Sequence, residues 1–281
     1  MMLALLVIMG VLAVRGVLMS GAKEGLSFYL MPDLGKINGS VLSGAMNQAF
    51  FTLSLGAGSM AIFGSYIDKN RTLMGESVSV IVLDTFVAIV AGLIIFPACF
   101  TYGINPGAGP GLIFVTLPEV FNNMPFGNVW GALFFVFMTF AAFSTVLAVF
   151  ENIIAMIRDL TGWSKKKTSL IFAIAIVFLA LPCNLGFNVL SNFHPFGMED
   201  KVILDLEDFI VNNCILPLGS LTFVLFCTRK AGWGWNKFTE EANLGKGLKF
   251  PNWARFYCTW VLPLIILFIF VIGMLSYFKV I

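Results

Sequence analysis

The chain has 281 residues, of which 59% are hydrophobic and only 11% charged, and its formal net charge is +2. A water-soluble domain of this size carries roughly a quarter charged residues, so the composition excludes an ordinary soluble protein and describes a polytopic membrane protein. The near-neutral balance offers nothing to nucleic acid, and the 30 phenylalanines suit packing against lipid and between helices.

Seven hydrophobic segments follow one another: Met1–Leu18, Val41–Ile67, Val78–Tyr102, Asn128–Ile157, Thr168–Phe187, Val202–Cys227 and Phe256–Tyr277. The first has fourteen residues before Arg15, which is short for a span. It also lacks the small-residue cleavage site of a signal peptide. The chain is therefore expected to begin partway into a helix. With Met1 on the cytoplasmic side, the inside loops hold twelve lysines and arginines against five outside, the bias that sets orientation.

The second segment contains Gln48–Tyr66, QAFFTLSLGAGSMAIFGSY, in which Thr52 and Ser54 precede Gly56 and Gly58. Two readings stand here. Small residues in a membrane helix can let a neighbouring helix approach closely. Alternatively the span breaks near its middle, where glycine lowers the cost of leaving helical dihedrals. Lipid cannot satisfy the peptide groups so freed. A cation on the carbonyls and an anion on the N-terminus of the second half would suit them. The second reading makes this stretch the substrate and ion site of a secondary transporter.

Ionisable groups at membrane depth are expensive and are functional candidates. Asp84 lies in VIVLDTFVAIVAGLIIF of the third segment. It either joins the Thr52 hydroxyl around a hard cation, or stays neutral or helix-capped near the cytoplasmic end. The connection from Tyr102 to Gly127 lies outside and holds Pro106, Gly107, Gly109, Pro110 and Gly111 before the apolar run LIFVTLPEVF. A long apolar loop should fold onto the protein as a lid.

The fourth segment carries FAAFSTVLAVFEN, with Ser144 and Thr145 beside Ala141, Ala142 and Ala148. Such hydroxyls commonly bond the carbonyl one turn back. An adjacent pair is expected to point two oxygens in different directions, one side serving an ion. Glu151, seven residues on, shares roughly the same face and is expected to pair with a cation or to lock the inner half of the bundle.

Asp205, Glu207 and Asp208 open the sixth segment. A capping role agrees with the helix dipole. Asp205 and Asp208 also share a face, so one of them could instead meet an arginine. The polar stretch Thr228–Arg255 holds Trp233, Trp235 and Trp253, read as interfacial anchors. The five cysteines have no metal-ligand spacing, the lone His194 lies in a connection, and no phosphate loop, GxSxG or HExxH motif is present. An enzyme is not expected.

Taken together, AFFTLSLGAGSM, LDTFVAIVAGLIIFP, GPGLIFVTLPEVF, FSTVLAVFENIIA and LEDFIVNNCILPLGS resemble, in order and spacing along the whole chain, the neurotransmitter:sodium symporter family and its bacterial amino-acid transporters. The resemblance implies an all-α polytopic membrane protein of the leucine-transporter-like inverted-repeat fold. About seven transmembrane helices are implied, the second one broken, matching the family's helices five to eleven and lacking the first four. It implies one transmembrane domain over 1–281: 1–20 as the last helix of the first repeat, 41–227 as the second repeat, 228–254 as a cytoplasmic loop and 255–281 as an additional helix. A bacterial inner membrane is the implied location.

By the same likeness, a first sodium site takes Thr52 and Asp84, and a second takes the Ala141 carbonyl with Ser144 and Thr145. Both are only partly supplied by this chain. Phe51, Ser54 and Val149 line the substrate pocket. Ala57 stands where a leucine-transporting relative has phenylalanine, which leaves room for a bulky hydrophobic or aromatic amino acid. Asp208 is the acidic half of an outer gate, and the Pro106–Phe121 region is the external lid. Chloride-dependent members have asparagine at the position of Asp84, so a fixed carboxylate there implies chloride-independent, sodium-coupled symport by alternating access. The missing helices would carry the other broken span. The alternative is therefore a truncated or split-gene fragment that acts only with a separate chain supplying them.

Overall fold

The computed structural model describes residues 2–106, 117–123, 125–198 and 201–278, and its regular structure is helical throughout. In chain order the helices are α1 Met2–Val17, α2 Ala22–Leu30, α3 Gly39–Thr52, α4 Ser59–Gly64, α5 Leu73–Tyr102, α6 Leu117–Asn123, α7 Gly127–Thr161, α8 Lys165–Leu185, α9 Ile203–Phe209, α10 Leu216–Thr228, α11 Trp235–Ala242, α12 Ala254–Phe256 and α13 Leu262–Tyr277. A π-helical stretch, Ile210–Ile215, joins α9 to α10, and another, Tyr257–Val261, joins α12 to α13.

Among the described residues, five continuous stretches are long and apolar enough to cross a membrane: α5, α7, α8, Ile203–Thr228 and Ala254–Tyr277. Large apolar side chains stay exposed along them, for instance Leu170, Val177, Phe178 and Leu179 on α8. A helix that is apolar all round is at rest only in a low-dielectric surrounding. The first hydrophobic segment differs from expectation in one respect. It continues through a 112° bend into α2, a helix that Lys23 and Glu24 hid from a hydropathy reading.

Two compact units are present, Met1–Lys36 with Ile81–Ala148, and Ile37–Val80 with Val149–Ile281. In the first, Leu5, Met9 and Leu12 of α1 pack with Ile94 of α5, Leu117 of α6 and Phe134 and Phe137 of α7. Pro97 lies inside α5 and cannot donate to the carbonyl four residues back. Gly16 of α1 packs directly on that carbonyl, at Leu93, where a Cβ would collide with the oxygen. Of the expected lid, residues 107–116 lie outside the described residues. The following α6 buries Leu117 in this core, in keeping with an apolar connection that folds back onto the protein.

In the second unit, Phe50 of α3 packs with Leu216 of α10 and Ile266 and Ile269 of α13. Asn38 caps α3, its side-chain oxygen accepting from Val41 N at 2.9 Å. The two π-helical turns share one cause. Each runs directly into an L-P-L sequence, with Pro217 and Pro263 in the first turn of the following helix. A proline ring clashes with the carbonyl one turn back, and widening the preceding turn relieves the clash without ending the span.

Candidate functional site

The span Val41–Ile67 is broken, and its sequence explains how. Helix α3 ends at Thr52 and α4 begins at Ser59. Ser54 N donates to Phe51 O at 3.0 Å and Leu55 N to Phe50 O at 2.9 Å, the pair of bonds that closes a helix through a left-handed residue. That residue is Ser54, with φ of +49°, where glycine is usual. Gly56 and Gly58 follow with φ of +82° and +84°, so every second residue across the break is left-handed. Among the described residues the N–H groups of Gly56, Ala57 and Gly58 have no backbone partner. Inside a membrane, lipid would offer such groups no partner.

The close-packing reading also holds, at Gly56. A Cβ there would collide with the Leu216 carbonyl and lie 2.6 Å from Ser220 N, while a Cβ on Gly219 would strike the Gly56 carbonyl. The break is thus seated on α10 by a glycine on each side. Ser220 is buried beneath it, with a hydroxyl that has no partner among the described residues. At the start of α4, the buried Ser59 Oγ accepts from Asn152 Nδ2 at 3.0 Å. Neither Asn152 nor the Gly219–Ser220 seat stood out in the sequence. Asn152 was overshadowed by Glu151, and a Gly-Ser pair in a membrane span has no distinctive pattern.

In the first unit, Ser144 Oγ donates to Ala141 O at 2.8 Å and Thr145 Oγ1 donates to the same oxygen at 3.2 Å. The adjacent hydroxyls therefore converge instead of pointing apart. One lies three residues from the carbonyl and the other four, and both distances span one helical turn. Three hard oxygens in one small cluster, with hydroxyl lone pairs still unused, are the donor type that suits an alkali cation. Asp84 lies in α5, eleven residues beyond Leu73, its first residue. That placement removes the option of a helix-capping aspartate.

The remaining sequence candidates fall on the second unit. Thr52 ends α3, Phe51 (51% exposed) precedes it, Ala57 lies in the break and Val149 in α7 is 42% exposed. Glu151 pairs with Lys165 at 3.2 Å. Asp205 accepts from Val202 N at 2.9 Å, the cap that its first-turn position suggested. Asp208 remains exposed and accepts from Asn212 Nδ2 at 2.9 Å. Both aspartates line a polar cavity of about 320 Å³ together with Gln48, Asn47 and Lys201. Asn47 in turn donates to Asn213 Oδ1 at 2.8 Å, a link from α3 to the first π-helical turn that hydropathy alone did not signal.

The sodium:neurotransmitter symporter family model matches residues 1–280. An uncharacterized sodium-dependent transporter of Bacillus subtilis, YhdH, is 35% identical over 281 residues, covering 99% of this chain and 61% of the relative. A second uncharacterized sodium-dependent transporter, from Haemophilus influenzae, is 32% identical over 92% of this chain and 56% of its own length. Among solved structures, MhsT in complex with L-phenylalanine superposes with a TM-score of 0.82 at 35% identity, covering 95% of this chain and 60% of that one. The chain thus spans about three fifths of the length of these three proteins. A fold shared with MhsT, a span interrupted at residues 53–58 and a family match along essentially the whole sequence lead to one conclusion: the chain belongs to the sodium:neurotransmitter symporter family.

Proposed function

We propose that the protein carrying this chain is a sodium-coupled amino-acid symporter of a bacterial plasma membrane, working by alternating access. The observation that carries the proposal is the break between Thr52 and Ser59, with Ser54, Gly56 and Gly58 left-handed and peptide N–H groups that have no backbone partner among the described residues. Lipid leaves such donors unsatisfied, and a substrate carboxylate accepts from them. In this proposal Thr52 and Asp84 serve a first sodium ion, and the Ala141 carbonyl with Ser144 and Thr145 serves a second. Phe51, Ser54, Ala57 and Val149 shape the substrate site, and Asp208 closes it from outside. Sodium is cargo here, and its gradient drives uptake only because the ion binds the outward- and inward-facing states with different affinity.

Two finer points follow. The small side chain of Ala57 leaves room for a bulky substrate, and MhsT was solved with L-phenylalanine, so the substrate class is large hydrophobic or aromatic amino acids. Asp84 supplies a fixed negative charge near the first ion, which removes the need for chloride to balance two sodium ions.

Uptake of labelled phenylalanine into proteoliposomes under an inward sodium gradient tests the whole. Uptake that needs sodium, ignores chloride and disappears in Asp84→Ala and Thr145→Ala is the expected result. Equal uptake in potassium would defeat the proposal.

A further inference from the structure

Beyond the broken span, a second joint is built on the side that the lysine and arginine bias makes cytoplasmic. The loop leaving α4 meets the segment that follows α11. Lys246 N donates to Asn70 O at 2.9 Å, and Arg71 and Lys246 form a parallel backbone bridge. Gly245, at φ +83°, packs so tightly that a Cβ would collide with the Asn70–Arg71 peptide, and Gly247, at φ +142°, lies against the Thr72 hydroxyl. Thr72 is 1% exposed although it sits in a loop. Asn243 Oδ1 accepts from Phe250 N at 2.8 Å, folding the segment back on itself, and Phe238 of α11 meets Trp235 and Phe250 with ring centroids 5.7 and 5.4 Å apart. An irregular segment packed this closely is a built contact.

The flank of α4 is the opposite. Between Met60, Phe63 and Gly64 on one side and Trp233, Phe238 and Phe250 on the other lies a cavity of about 780 Å³. The cavity is partly open to the surface, and among the described residues nothing fills it against this side of α4. The helix has six residues. It is held at its start by the Gly56 seat and the Ser59–Asn152 bond, and at its far end, among the described residues, through the loop, its joint with residues 245–247 and the Lys69–Glu241 ion pair at 3.8 Å.

We propose that residues 233–250 form a cytoplasmic strap on the inner half of the broken span. The joint between residues 70–72 and 245–247 holds the far end of α4, and its release lets α4 turn about the Gly56 seat into the cavity. The strap deepens the alternating-access proposal and rests on it for its purpose, because it gives the inner half-helix a stop on the side where substrate would leave.

A thiol reporter decides the matter. Gly64→Cys places a side chain on the cavity wall where a Cβ has no neighbour within 4 Å. Its reaction with a membrane-impermeant maleimide is followed in inside-out vesicles, by mass spectrometry of the peptide that contains it. Arg71→Cys with Lys246→Cys closes the joint covalently, since bridged backbone positions fall within disulfide reach. Gly245→Val opens it by steric conflict. Labelling at residue 64 should quicken at least several-fold in the disulfide form, which holds α4 out of the cavity, and fall back with reductant, and it should slow in Gly245→Val, where α4 turns into the cavity. An unchanged rate on forming and reducing the disulfide overturns the proposal, whether or not Gly245→Val folds. Sodium-dependent uptake is measured on the same vesicles. Responsive labelling without uptake leaves the strap standing and removes the transport proposal, and uptake with unresponsive labelling does the reverse.

Discussion

Ser54 closes α3 in a conformation that glycine usually supplies, and it brings a hydroxyl into the break. The left-handed region costs a non-glycine residue about 1–2 kcal/mol. Ser54→Gly should therefore stabilise the solubilised protein by about 1 kcal/mol in thermal unfolding if the hydroxyl serves only a ligand. A loss of stability would show that the side chain holds the break together. The two glycines that follow are separable by the same measurement. Gly58 has open space around it, so Gly58→Ala meets only the dihedral cost of about 1–2 kcal/mol. Gly56→Ala adds a collision with the Leu216 carbonyl and should cost clearly more, in the range of overpacked cores, about 1–3 kcal/mol beyond the dihedral term. Equal losses at both positions would mean that α10 gives way and is no seat. At Asp84, exchange for asparagine keeps the shape and removes the charge. Uptake by Asp84→Asn should then depend on chloride, read by replacing chloride with gluconate, and chloride-insensitive uptake would separate the carboxylate from anion balance.

At the scale of elements, the break was legible because Thr52, Ser54, Gly56 and Gly58 crowd the middle of a run long enough to cross a bilayer. Its mechanics were not. No pattern announces a serine that closes a helix, and the small residues proved to mark both a break and a close approach, which the sequence had presented as alternatives. The π-helical turns were hidden for a related reason. Pro217 and Pro263 each lie inside a hydrophobic run that continues on both sides, so hydropathy sees one span and cannot tell a kink from a widened turn. The second of these proline turns carries Trp260 beneath the Arg229 guanidinium, 4.8 Å from the ring centroid, whereas the first is tied to α3 by Asn47 and Asn213. Deleting one member leaves the other's buried polar atoms unmatched, at about 1–3 kcal/mol, whereas deleting both removes donor and acceptor together. Asn47→Ala and Asn213→Ala should accordingly be non-additive in thermal unfolding, the double variant losing less than the sum of the singles. Additive losses would show two independent side chains and no tie between α3 and the turn.

For the whole molecule, the proposal of two ion sites makes a demand that needs no transport assay. A ligand that binds the folded protein and not the unfolded chain stabilises it in proportion to the logarithm of its concentration, by about 2.7 kcal/mol at a hundred times the dissociation constant. Sodium should then raise the unfolding temperature of the protein while potassium at equal ionic strength does not. The slope against the logarithm of sodium concentration counts the ions taken up. If Asp84 and the Ala141–Ser144–Thr145 cluster serve different ions, Asp84→Ala and Thr145→Ala should each remove about half of that slope, and together all of it. Coupling between the sites shows as a departure from this halving, because an ion that orders the protein for a second one raises the affinity of both reciprocally. A protein whose unfolding temperature answers equally to sodium and potassium has no selective ion site. The converging oxygens on Ala141 would then be ordinary helix-to-hydroxyl bonds, of the kind that Thr139 makes to Phe135 O at 2.7 Å six residues earlier on the same helix.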